Sequence, residues 1–177
     1  MDIGLEVKAA FLFQLVGGVK KNRILAGGGD LQERVFVAQT LDKMPPIYEF
    51  HPIGITGYHS IDLHNACVVN VNSGFFMDNI GINGWRFHKQ RNYMEVSEDT
   101  TKSYPEIPQL VPQSTIDFVQ QLPSEEFRFL ASYLMALQLA KYEDGKKGKG
   151  AVRTAQGRLG WPDWWIKSAQ QIEKRVT

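Results

Sequence analysis

The sequence predicts an α+β fold, with a mainly antiparallel sheet from the first two thirds and a helical C-terminal portion packed on it. Three observations lead there. Runs of β-branched and aromatic residues, broken by turn formers, fill the stretch from Ile47 to Val96. Pro105, Pro108 and Pro112 then punctuate "SYPEIPQLVP". Beyond them apolar residues recur at helical spacing.

Each element follows from local chemistry. "DIGLEVKAAFLFQLVGG" suits a helix that Asp2 caps and Gly17-Gly18 ends, although "FLFQLV" fits a buried strand equally well. "RILAGGGDLQERVFVAQTL" reads as two extended runs around a turn at Gly27, Gly28, Gly29 and Asp30. "ACVVNVNSGFFM" reads as a hairpin turning at Asn72, Ser73 and Gly74. "GINGWRFHKQRNYMEV" repeats the pattern, Trp85 and Phe87 alternating with Arg86 and His88.

These assignments divide the chain into a β-rich region, 1–104, a proline-containing linker, 105–113, and a helical region, 114–177, within one compact domain. Ser114 with Asp117 forms a variant capping box for the first C-terminal helix. Glu125 and Glu126 suit the first turn of the next. Phe127, Leu130, Leu134 and Leu137, widened by Phe129, Tyr133 and Ala140, make that helix central to packing. Gly145, Gly148 and Gly150 break it. A last helix starts near Pro162, with Trp165, Ala169, Ile172 and Val176 on one face.

A hydrophobic fraction of 43% and a charged fraction of 22% over 177 residues are globular values. With Cys67 as the one cysteine, neither an intramolecular disulfide nor a Cys-rich zinc site can form, which suits an intracellular setting. Asp2 and Glu6 stand where an export signal carries positive charge, and no run approaches the roughly 20 apolar residues of a membrane span. A soluble protein without a membrane partner is expected.

Catalytic signatures are weak. His51, His59, Asp62 and His64 have ligand chemistry for a catalytic metal, but no HExxH-type motif accompanies them. On a strand His59 would point away from Asp62 and His64, so ordinary turn and strand-end histidines are the better reading. Cys67 lies in the apolar run "NACVVNV", which favours an inert buried thiol. Three strand residues would also place it opposite His64. "GKKGKG" lacks the Lys-Ser/Thr of a P-loop, "GGGD" lacks dinucleotide-fingerprint spacing, and there is no GxSxG elbow. No catalytic residue, metal or cofactor is assigned.

Charge is the more informative signal. Residues 1–140 carry 11 Lys/Arg against 15 Asp/Glu, net −4, whereas residues 141–177 carry 9 against 4, net +5, which points to a local anionic partner. The excess gathers in "KYEDGKKGKGAVRTAQGRLGWPDWW". Lys146, Lys147, Lys149, Arg153 and Arg158 can meet phosphates, and Gln156 can meet phosphates or base edges. Trp161 and Trp164 can stack on unpaired bases. The competing reading is a solvated Lys/Gly loop with Trp161 and Trp165 as core anchors. The expected function is therefore non-catalytic nucleic-acid binding, DNA or RNA. The alternative is an assembly protein, of viral or cellular origin, that makes homo-oligomeric or other protein contacts through its C-terminal helices. A metal-dependent hydrolase ranks third.

Overall fold

Helical periodicity governs the N-terminal half as well as the C-terminal one. The computed structural model describes residues 3–18, 27–53, 57–73, 76–81, 84–89 and 111–177. The first half contains α1 (Leu5–Gly18), α2 (Gly27–Thr40), β1 (His51–Ile53), β2 (Gly57–His59), α3 (Ile61–Asn72), β3 (Phe76–Gly81) and β4 (Gly84–Lys89). The second contains α4 (Gln113–Gln121), α5 (Ser124–Tyr142), α6 (Gly148–Leu159) and α7 (Asp163–Val176). Among the described residues, strands are confined to two separate antiparallel pairs, β1–β2 and β3–β4. The α+β expectation of a mainly antiparallel sheet is thus overturned, and the fold is mainly helical.

Two misread segments account for most of that correction. In α2 the glycines expected to turn a hairpin form the first helical turn instead. Leu31, Val35 and Ala38 then recur at i, i+4 and i+7 and are buried. Ser60 caps α3, its hydroxyl accepting the Leu63 N–H at 3.2 Å. Leu63, Ala66, Cys67 and Asn70 form the buried face of α3, at helical and not alternating spacing. The hairpin expected at 72–74 is therefore absent from the described residues up to Ser73, where α3 ends. Residues 84–89 do form a strand, paired with 76–81.

The linker residues 105–110 lie outside the described residues. Pro112 is the N-cap residue of α4 and supplies no side-chain cap. The capping box expected from Ser114 and Asp117 is replaced by an i, i+4 bond, Gln113 Nε2 donating to Asp117 Oδ1 at 3.0 Å. The stripe of α5 is internal as expected: Phe127 and Leu130 are fully buried and Leu134 nearly so.

One hydrophobic cluster runs through α1, α2, α3, α4, α5 and α7. Helix α1 packs on α3 and α4, and α2 packs on α4 and α5. Gly18 permits the α1–α4 approach, because a Cβ there would run into Ile116 Cδ1 and lie 2.9 Å from its Cγ2.

Polar locks fix the arrangement. Arg34 is buried with its guanidinium 4.5 Å above the Phe127 ring. It donates to Asp30 at 2.9 Å, to the carbonyls of Val119 and Leu122 at 2.5 and 3.1 Å, and to Ser124 Oγ at 2.9 Å. It thereby satisfies the C-terminal carbonyls of α4 and joins α2 to the start of α5. Two glutamines of α2 grip the segment that follows. Gln32 exchanges both amide bonds with the backbone of Ser60, at 2.9 and 3.0 Å. Gln39 does the same with Tyr48, at 2.8 and 3.1 Å.

Candidate nucleic-acid interface

The basic stretch forms a helical hairpin against α5, then turns into α7. After α5 the chain folds back, and the Lys146 N–H donates to the Ala140 carbonyl at 2.9 Å. Helix α6 begins after Lys147, without a side-chain cap and without an acid in its first turn. Ala151 and Ala155 face α5, which leaves Lys149, Gly150, Arg153 and Gly157 outward. Gly160, at φ 64°, is the left-handed C-cap, and its N–H closes on Gln156 and Gly157. Helix α7 then starts after Pro162, as expected.

The eight sequence-picked residues separate into two groups. Lys146, Lys147, Lys149 and Arg153 are exposed, and none pairs with a carboxylate among the described residues. Trp164 is 64% exposed. The other three have internal duties. Arg158 donates to Asp144 at 2.9 Å and to Glu143 at 3.3 Å, and the Asp144 bond raises its already high pKa. Gln156 Nε2 donates to the Trp161 carbonyl at 3.1 Å and to Asp163 Oδ1 at 2.6 Å, which closes the α6–α7 turn. Trp161 stacks on Phe129 at 4.3 Å with an interplanar angle of 10°.

Trp165 belongs with Trp161. It meets Phe129 edge-on at 5.9 Å and Trp161 at 5.4 Å. Trp164 leans on Trp165 at 5.4 Å, so it is the outermost ring of a supported aromatic group. Lys167, Gln171 and Lys174 are also exposed on α7, outside the residues that the sequence marks for binding, Lys174 being read from the sequence only as a complement to the helix C-terminus. Their spacing from Trp164, at i+3, i+7 and i+10, is the signal that could have found them.

The remaining candidates do not assemble a catalytic centre. His51 and His59 are cross-strand partners, and the rings of His59 and His64 lie 5.8 Å apart. Asp62 is instead ion-paired with Lys8. Among the described residues no group of three or more His, Cys, Asp or Glu side chains could hold a metal ion. Since α3 is a helix, His64 and Cys67 share a side of it, contrary to the strand-based expectation. Cys67 is nonetheless buried, and desolvation pushes its thiol up to about 12, far from a nucleophile's range. An open cleft of about 450 Å³ beside Lys8, Tyr48, Glu49 and Asp62 contains that Lys8–Asp62 pair. Among the described residues no helix is long and apolar enough to cross a membrane.

No family model matches the chain, and neither a curated protein nor a solved structure matches it.

Proposed function

We propose that the protein binds nucleic acid, without catalysis, through the cationic surface around the start of α6. One observation carries this reading: Lys146, Lys147, Lys149 and Arg153 gather there exposed and without carboxylate partners. The same short region spends Arg158 on Glu143 and Asp144. Acids are thus close at hand, yet four cations are left to solvent. A phosphate backbone is the partner that such a cluster fits, since each contact releases condensed counterions. The helix start adds orientation, because its first amides and their partial positive charge favour an anion. Gly148, Gly150 and Gly157 have nothing within 4 Å of where a Cβ would stand, so a backbone can approach closely. The rival reading, assembly through the α5 stripe, would need residues such as Phe127, Leu130 and Leu134 that are already in the core.

The test is fluorescence anisotropy of labelled oligonucleotides against the purified protein over a salt series. Four phosphate contacts imply a slope of log K against log[salt] of about −3 to −4. Replacing Lys146, Lys147 and Lys149 together by Glu should flatten that slope and abolish most of the affinity. Failure of the wild-type protein to bind DNA or RNA even at low salt sinks the proposal.

A further inference from the structure

The cations of α6 explain attraction to any nucleic acid, but they leave Trp164 without a use. An indole that is 64% exposed next to lysines gains nothing from phosphates. It gains from a flat, uncharged, aromatic partner. Its surroundings on α7 extend the pattern. At 3.6 residues per turn, Trp164, Lys167, Gln171 and Lys174 fall within about 80° of arc and span about 15 Å of helix. All four are exposed.

We infer that this outward face of α7 is a track for unpaired bases, and that the nucleic acid taken is single-stranded. The inference rests on the nucleic-acid reading of the α6 surface and adds to it the form of the strand and a second set of residues. In a duplex the base faces are hidden by their neighbours, whereas in a single strand each base offers a face for an aromatic ring. Trp164 is held ready for that contact. Trp165 supports its ring edge-on at 5.4 Å, and Trp165 is itself wedged against Phe129 and Trp161. Lys167 and Lys174 then flank the path of the backbone, and Gln171 can bond base edges or phosphate oxygens.

The acids nearby do not oppose this. Asp163 accepts from Gln156 Nε2 at 2.6 Å. Glu173 lies on the other side of the helix, half-buried. An anionic lipid surface fits less well. The apolar side of α7, Ile166, Ala169 and Val176, is already buried in the fold, so Trp164 alone would remain to insert.

The experiment compares an oligothymidylate of about 20 nucleotides with a duplex of equal length, and both with anionic vesicles, using wild type, Trp164→Ala and Trp164→Phe. Thermal melting checks that the variants stay folded. The expected result is at least about ten-fold tighter binding of the single strand, lost by a similar factor in Trp164→Ala and largely kept in Trp164→Phe. Lys167→Glu should lower the single-strand salt slope by about 0.7. Equal binding of duplex, or no effect of Trp164→Ala on either, overturns the single-strand inference while leaving the α6 reading intact. Binding to vesicles that depends on Trp164, with none to the oligonucleotide, overturns it in favour of a lipid surface. Absence of binding to either nucleic acid removes both readings together.

Discussion

Arg34 and the lysines of 146–149 carry the same charge and are used in opposite ways. Arg34 is 7% exposed and its guanidinium reaches an acid, two carbonyls and a hydroxyl from three elements. Lys146, Lys147 and Lys149 are exposed and meet no carboxylate among the described residues. A charge inside a fold must be matched there, because its hydration has been given up. A charge left in water is free to match something else. The contrast teaches where to look for stability in this molecule and where to look for binding.

The sharpest way to break that contrast is Arg34→Met. Removing the guanidinium takes the charge partner at 2.9 Å away from the buried Asp30 and a donor from the Val119 and Leu122 carbonyls, so the loss should be about 3–5 kcal/mol in urea denaturation. A change under about 1 kcal/mol would mean that Arg34 is as dispensable as a surface lysine.

Burial leaves a second, titratable mark at Cys67. In the folded chain its thiol holds its proton up to about pH 12, whereas an exposed thiol releases it near 9. The folded pKa is the raised one, so this contribution is complete below pH 9 and is lost as pH rises above it. Stability should fall by about 1.4 kcal/mol per pH unit in that window. Tyr48 and Tyr133, likewise raised by burial, enter above 10, so among these described groups the interval from pH 9 to 10 reports the thiol. The Cys67→Ala variant should show a flatter profile there, and an unchanged slope would contradict a desolvated thiol.

A smaller effect is expected at Gly18. Gly18→Ala puts a methyl group against Ile116 and should cost about 1–2 kcal/mol. Ile116→Val, which removes Cδ1, should recover part of it in the double variant. Recovery that never appears in a thermodynamic cycle would mean the two helices part and do not press together.

The smallest change belongs to the free cations. Replacing Lys146, Lys147 and Lys149 by Glu should alter folding stability by less than about 0.5 kcal/mol, whatever it does to binding. A larger drop in melting temperature would show that these lysines serve the fold after all.

Legibility followed the same division. Helices α4, α5 and α7 could be read because Pro112, Pro123 and Pro162 stand at their N-cap positions and their apolar residues keep a 3.6-residue period. Helices α2 and α3 were obscured by local preference, namely three glycines at the start of one and Val68, Val69 and Val71 in the other. Tertiary burial outweighed those preferences. The Ser60 cap and the i, i+3, i+4, i+7 run Leu63, Ala66, Cys67, Asn70 were present to be read. At the candidate site the basic composition was visible from the residues alone. Which cations are spoken for was not, because the pairing of Arg158 with Glu143 and Asp144 depends on how α6 folds back on α5.

Gln32 and Gln39 stand two helical turns apart on α2, and each treats one residue of the chain ahead as a neighbouring strand would. Tyr48 and Ser60 are therefore placed by a ruler whose two marks are seven residues apart. A slip of one residue would rotate both carboxamides by about 100° and break all four bonds at once. Alignment of α2 with this segment is thus an all-or-none property, closer to a key in a lock than to apolar surfaces that can slide and resettle.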